Sequence, residues 1–329
     1  MKKIKYILLF ACAGLLLFSS CHEEWTGEQY KRLVSFKAPL NDDGVTAIYV
    51  RYKGTESTQY QLPVIVSGST TNDQNLTVKV AVDPDTLATL NIEQFQSRTE
   101  LFFEELGSEY FTMPETVNIK AGEDIGLLNI DFTLDDIDLV DKWMLPLTIV
   151  DDASGSYVVN PRKNYKKALL QIMPFNDYSG IYSGTALKTY FKGYENDPAI
   201  VKSEITVNVV DDNSVFFYAG TIDEKNTDRA KYKIKATFDK ESRKVSLTSD
   251  NPDINLQVNG IALFSIEEEM DATRPYLLHR YITITGINYY FTDYTSVPGT
   301  PIDFTVTGSM ILERKINTQI PDEDQAIEW

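Results

Sequence analysis

Imidazole and thiol chemistry have little to draw on here, because 329 residues hold two histidines and two cysteines. His22 lies in a polar stretch near the N-terminus, and His279 sits between Leu278 and Arg280 ahead of a strand-like run. A Ser-His-Asp arrangement needs an oriented imidazole, and only His279 could supply one. The sequence contains no G-x-S-x-G elbow, P-loop, G-x-G-x-x-G or H-E-x-x-H. A glycoside hydrolase needs just two carboxylates, and 48 acidic residues leave room for such a pair. Most glycosidase scaffolds, however, are longer than either module read below. We therefore expect no catalytic residue and no cofactor. Asp135-Asp136-Ile137-Asp138 and Asp250-Asn251-Pro252-Asp253 cluster the hard oxygen donors that calcium prefers. Neither has the central glycine and distant glutamate of an EF-hand, and Asx-rich turns produce the same pattern. No metal site is expected from them.

Aromatic residues are the informative excess, with 19 Tyr, 16 Phe and 3 Trp making 12 % of the chain. A pyranose ring stacks its apolar C–H face on such a plane while flanking Asp, Asn or Arg bind its hydroxyls. Tyr and Trp suit that role because they are rigid and amphipathic. In Asn288–Tyr294, Tyr289 and Phe291 share one strand face and Tyr290 takes the other, before the chain enters Thr295–Gly299. One set must then be exposed or cover a barrel mouth. Tyr289, Tyr290, Asp293 and Tyr294 are the first candidates for a glycan site, with Asp293 accepting from sugar hydroxyls and Tyr294 stacking. Tyr190 and Tyr194, in Tyr190–Asp197, are the second. The competing reading is that these rings simply pack a core or pave a strand. Trp143, beside Met144-Leu145-Pro146-Leu147, reads as core, and Trp25 falls in a tether.

Cys21 is the one thiol with a readable chemistry. Lys2, Lys3 and Lys5 precede thirteen apolar residues, Tyr6–Phe18, too few to span a bilayer and right for a signal-peptide h-region. Phe18-Ser19-Ser20-Cys21 resembles the bacterial lipobox, with Phe18 where leucine is usual. That pattern implies cleavage before Cys21, a thioether-linked diacylglycerol on its sulfur and an acyl chain on its amine, enough chains for stable anchoring. Removal of three lysines lowers the 31 basic residues to 28 against 48 acidic, a net charge of −20 rather than −17. It also removes Cys12, so the mature chain cannot form a disulfide. So acidic a chain, without a basic stripe, is not built for nucleic acid. His22-Glu23-Glu24 behind the cysteine resembles the surface-export signal of Bacteroidetes lipoproteins, which implies an outer-membrane location facing outwards.

The elements that must position these residues read as almost entirely β. Leu76, Val78, Val80 and Val82 alternate with Thr77, Lys79 and Ala81, and Asp83-Pro84 ends that strand. Ala47–Tyr52, Tyr60–Val66, Val117–Ile119, Gly126–Phe132, Met144–Val150 and Ala168–Met173 are further strands, and Thr86–Leu106 interrupts them with a short helix or two. About seven strands in this span predict an immunoglobulin-like β-sandwich. After Pro174-Phe175-Asn176-Asp177 a second module begins. Glu204–Val210, Val215–Tyr218, Lys231–Phe238, Val245–Thr248, Leu256–Val258, Tyr281–Phe291 and Asp303–Arg314 predict an antiparallel, lipocalin-like β-barrel, closed or nearly so, with an open sandwich as the alternative. The expected organisation is a signal peptide at 1–20, a lipidated tether at 21–32, a sandwich at 33–174, a barrel at 175–317 and a frayed acidic tail at 318–329, with Trp329 as a potential anchor.

The whole arrangement resembles the surface lipoproteins of Bacteroidetes polysaccharide-utilisation systems. In the first module the resemblance rests on Leu62–Ser69, Val82-Asp83-Pro84, Ile119–Glu123 and Leu145–Ile149, similar to an N-terminal module of unknown function in such lipoproteins. In the second it rests on Ile284–Ile287, Thr292–Thr295 and Gly308–Arg314. It implies a non-enzymatic protein in a SusE/SusF-type or other glycan-binding position beside a SusC/SusD-like importer. Mannose-containing glycans are one candidate, since some relatives accompany endo-acting glycosidases on host N-glycans. The rival class is a structural or adhesive, fimbria-like lipoprotein, but no obvious cleavable arginine segment lies early in the chain.

Overall fold

The computed structural model describes residues 30–297 and 299–329. The signal peptide, Cys12, Cys21, His22 and Trp25 lie outside the described residues. The first ten strands build two facing sheets. They are β1 (Leu33–Phe36), β2 (Thr46–Arg51), β3 (Thr58–Ser67), β4 (Leu76–Val82), β5 (Phe103–Glu105), β6 (Phe111–Thr112), β7 (Thr116–Ile119), β8 (Ile125–Phe132), β9 (Lys142–Ile149) and β10 (Lys167–Phe175). One sheet runs β1-β3-β8-β6 and the other β2-β10-β9-β4-β7, with β5 alongside β9. The alternation expected for Leu76–Val82 is present, with Leu76, Val78 and Val80 buried between the sheets beside Leu62, Leu128 and Leu147.

Helix α1 (Pro84–Phe95) begins where proline at its first turn loses no hydrogen bond. It buries Leu87 and Leu90 against Phe103, Met144 and Leu169. Asn91 ties it down, its amide donating to the Phe103 carbonyl (2.9 Å) and its carbonyl accepting from the Phe103 N–H (2.8 Å). A 3₁₀ turn at Thr99–Leu101 follows, so the interruption expected in Thr86–Leu106 is a helix and a short turn.

The remaining strands close into a barrel. They are β11 (Gly180–Ser183), β12 (Leu187–Phe191), β13 (Ile200–Val201), β14 (Glu204–Asp211), β15 (Ser214–Tyr218), β16 (Lys233–Asp239), β17 (Lys244–Thr248), β18 (Gln257–Val258), β19 (Ala262–Met270), β20 (Leu277–Asp293), β21 (Ile302–Asn317) and β22 (Ile327–Glu328). Eight of them, β21-β11-β14-β15-β16-β17-β19-β20, form a ring that the β20–β21 pairing shuts, which leaves the ring without a free edge. The fold is thus all-β, a sandwich followed by a closed antiparallel barrel, and the open-sandwich alternative is set aside. Lys231 and Tyr232, expected at the head of a strand, instead belong to a 3₁₀ turn at Arg229–Tyr232.

The sandwich and barrel interlock. Val140 of the first packs into the barrel core, and Val209 of the second into the sandwich core. Between them Asn176 accepts from the N–H groups of Tyr178 and Ser179 and donates to the carbonyls of Asp211 and Ser214. Arg314, almost wholly buried, donates to the carbonyls of Asn176, Asp177 and Ser179. Burial pushes its guanidinium pKa down to about 10. The C-terminal tail is not frayed. Asp322 caps the short helix α2 (Glu323–Ala326), Ala326 and Ile327 pack on Phe175 and Ile316, and Trp329 lies flat on Tyr49. The acids read as a solvated tail have partners instead: Asp324 pairs with Arg51 and Glu323 with Arg280.

Candidate functional site at the barrel rim

Where β12 ends, its side chains leave the wall of the barrel and meet solvent. Register places Phe191, Phe304 and Phe291 in one row across β12, β21 and β20. Their rings stack in sequence, with centroids 5.2 Å apart for Phe191–Phe304 and 5.3 Å for Phe304–Phe291. Phe291 and Phe304 are buried, whereas Phe191 is 48 % exposed. The chain then turns through Lys192-Gly193, where Gly193 at φ 87° takes a conformation costly for any residue with a Cβ. The turn presents Tyr194, 63 % exposed. Glu195 fixes the loop by accepting from the Gly193 N–H (3.0 Å) and the Thr305 hydroxyl (2.9 Å).

These residues surround an open basin of about 510 Å³, lined by Phe191, Tyr194, Ile302, Lys192, Asp197 and Asp303. Asp303 accepts from the Thr292 hydroxyl at one oxygen (2.7 Å). Two apolar planes beside two carboxylates match a sugar: a surface for its C–H face, and acceptors for its hydroxyls.

The six ring and carboxylate candidates divide sharply. Tyr194 faces this basin. Tyr190 and Tyr290 lie on the opposite face of the same strands, both in register with Thr305, and the Lys192 ammonium sits 4.8 Å from the Tyr290 ring centre. Tyr294 is 50 % exposed but is held elsewhere on the rim, its N–H donating to the Tyr232 hydroxyl (2.9 Å). Two expectations are corrected. Tyr289 is 0 % exposed inside the barrel, where the Gly220 N–H donates to its hydroxyl (3.1 Å), so no sugar can reach its ring. Burial pushes its phenol pKa up. Asp293 is also 0 % exposed, and its carboxylate accepts from the N–H and hydroxyl groups of Thr295 and Ser296. Burial opposes its ionisation, but those hydrogen bonds outweigh it and hold the carboxyl below its usual range. It is a loop brace buried out of a ligand's reach. Phe191 and Asp303 were not singled out from sequence, although Phe191 stands inside the Tyr190–Asp197 cluster.

His279 is clasped rather than free. Its Nδ1 lies 2.5 Å from Glu313 and its Nε2 3.1 Å from Asp271. The Glu313 and Asp271 hydrogen bonds raise its pKa. In the two acidic clusters, Asp138 accepts from the Val140 N–H and Asn251 from the Asp253 N–H, the local bonding of Asx turns.

Comparison with known proteins gives this architecture a family. Residues 25–153 match a domain of unknown function (DUF4973), and residues 166–311 match a second family described as a C-terminal domain. A crystal structure from Bacteroides ovatus, of unknown function, shares 49 % identity over 90 % of this chain and 100 % of its own, with a TM-score of 0.82. An auxiliary nutrient binding protein from Bacteroides thetaiotaomicron shares 45 % identity over 91 % of this chain and 100 % of its own, with a TM-score of 0.81. A multidomain protein including DUF1735, again from Bacteroides ovatus, shares 48 % over 92 % and 100 %, with a TM-score of 0.81. The chain belongs to this family of two-module Bacteroides proteins. Among curated proteins none matches.

Proposed function

We propose that this protein is a non-catalytic, lipid-anchored protein of the outer-membrane surface that binds glycans for an uptake system, with the rim basin as its site. The observation that carries the reading is the pair of exposed rings, Phe191 and Tyr194, held by an ordered turn beside Asp197, Asp303 and Lys192. An exposed ring pair of this kind costs solvation unless something covers it, and a pyranose face does. Support also comes from the lipobox-like Ser19-Ser20-Cys21 and from the nutrient-binding name of the Bacteroides thetaiotaomicron relative. A basin open on one side buries little area, so the affinity is weak, about high micromolar, and many anchored copies supply avidity. A SusC/SusD-like importer is the partner that would consume the captured glycan, and mannose-containing glycans are the first to test.

The experiment is affinity electrophoresis of the tether-free protein through gels containing yeast mannan and a set of plant and host polysaccharides. Tyr194→Ala should be retained measurably less than the wild type on whichever polysaccharide holds it, while its melting midpoint stays put, because an exposed ring contributes within about 0.5 kcal/mol to stability. Full retention by Tyr194→Ala refutes the site, and passage of the wild type through every gel refutes the reading.

A further inference from the structure

The segment that interrupts the strand rhythm, Thr86–Leu106, has no part in the rim basin, yet it builds one wall of a second cavity. After α1 the chain passes through Gln96 at φ 56°, ψ −109°, a strained setting for a residue with a Cβ, and into the 3₁₀ turn. This brings Phe95, Arg98 and Phe102 of the sandwich to face Lys225 and Arg229 of the barrel across a cleft of about 540 Å³. Phe95 and Phe102 are half-buried, with ring centres 6.2 Å apart and tilted by 36°, so the cleft has an apolar floor that water still reaches.

Its polar lining includes one group with unspent capacity. Arg229 is more than nine-tenths buried. Its Nε donates to the Val140 carbonyl and Nη1 to the Glu100 carbonyl, both at 3.2 Å. Asp141 lies 3.8 Å from Nη2, beyond hydrogen-bond range. Of the five N–H donors on a guanidinium, some are therefore still available at the cleft. Arg98 is exposed and held by Glu100 (3.2 Å), Lys142 pairs with Glu224 (3.0 Å), and Lys225 reaches in from the barrel loop. Arg98 and Lys142 have carboxylate partners and Asp43 also lines the cleft, so cations do not line it alone. The cleft offers an apolar plane ringed by donors and acceptors of both signs, which matches a saccharide unit with its many hydroxyls.

We infer that this cleft is a second saccharide-binding site, independent of the rim basin, with Phe95 and Phe102 beneath the sugar face and Arg98, Lys225 and Arg229 on its hydroxyls. The class of ligand rests on the glycan-binding reading above. A polysaccharide offers many repeat units, so two weak sites raise retention on a polymer well beyond either alone.

The test is affinity electrophoresis in yeast mannan gels, run on wild type, Phe102→Ala, Arg98→Ala, Tyr194→Ala and the double variant Arg98→Ala/Tyr194→Ala. Calorimetric melting confirms that each is folded, and Arg98→Ala, an exposed side chain, covers the case in which Phe102→Ala unfolds. Each single variant should weaken apparent binding several-fold, about tenfold for the ring removals. The double variant should migrate as it does in a mannan-free gel. Unchanged retention of both Phe102→Ala and Arg98→Ala, with Tyr194→Ala abolishing it alone, overturns the second site and leaves the rim reading standing. Free passage of the wild type through mannan and every other polysaccharide gel of the set overturns both.

Discussion

Replacing Trp329 with alanine removes the last side chain of the tail and, on the geometry here, a clamp between the two modules. The indole stacks on Tyr49 of β2 with centroids 3.9 Å apart and planes parallel, and meets Phe175 edge-on at 4.8 Å. The Arg314 guanidinium lies 5.5 Å from its ring centre. Trp329 is 49 % exposed, so about half of the roughly 200 Å² that a tryptophan can bury, or ~100 Å², is covered. At ~25 cal/mol per Å² that burial stabilises by ~2.5 kcal/mol. The two ring contacts add ~1 kcal/mol, and freeing the terminal residue returns ~1 kcal/mol of conformational entropy. The net loss is about 2–3 kcal/mol, roughly 5 °C in melting midpoint for a chain of this size. Differential scanning calorimetry of the tether-free protein measures it, with Trp329→Phe expected to recover about half. A midpoint within about 1 °C of wild type refutes the clamp, because a side chain that holds two modules together cannot be removed without cost.

Other expectations follow from the same contacts. Tyr289→Ala empties a fully buried barrel position and should cost about 3–5 kcal/mol by analogy with phenylalanine, whereas Tyr289→Phe should cost about 1–3 kcal/mol for the orphaned Gly220 N–H, both read from urea unfolding. Equal stability of Tyr289→Ala and wild type would place that ring at the surface after all. Glu313 and Asp271 raise the His279 pKa in the folded state. Its contribution is therefore complete below the unfolded value of about 6.5 and fades as pH climbs through the higher folded value. Melting midpoints of wild type should fall across that window relative to His279→Gln, and parallel curves would show that the clasp contributes nothing. A Cβ at Gly308 would collide with the Ala186 carbonyl, and its φ of 136° suits glycine alone, so Gly308→Ala should destabilise by more than about 1 kcal/mol in the same denaturant assay. Cys21→Ala should abolish metabolic labelling by a palmitate analogue, and persistent labelling would contradict lipidation at that thiol.

How much of this could be read from the chain depends on how local each cause is. Leu76–Val82 was legible because one face is buried and the other wet, so burial alternates with the pleat. β19 was not, because Glu267, Glu268 and Glu269 lie where the strand is exposed on both faces and no alternation survives. The tail was misread for a different reason: its acids find Arg51 and Arg280, whose positions depend on the closed barrel and on the sandwich packed against it. Asp293 did carry a usable local signal. An aspartate followed two and three residues later by Thr295 and Ser296 is turn chemistry, the same reasoning that assigned Asp250–Asp253 to a turn.

Period-two patterning put Tyr289 and Tyr290 on opposite faces, but it could not say which face looks inward. That choice is made when β20 pairs with β21 and shuts the ring, a contact between strands that no single strand encodes. The same closure explains why the exposed platform is Phe191. Phe291, Phe304 and Phe191 are one residue type in one row, yet their exposure rises from 1 % to 3 % to 48 % in that order. Phe291 and Phe304 face the barrel core, whereas β12 lies outside the closing ring and its last residue has lost the opposite wall. Position along the row, rather than aromatic character, turns a core side chain into an exposed one, so a search for candidate sites is better aimed at the ends of short flanking strands than at the densest tyrosine run.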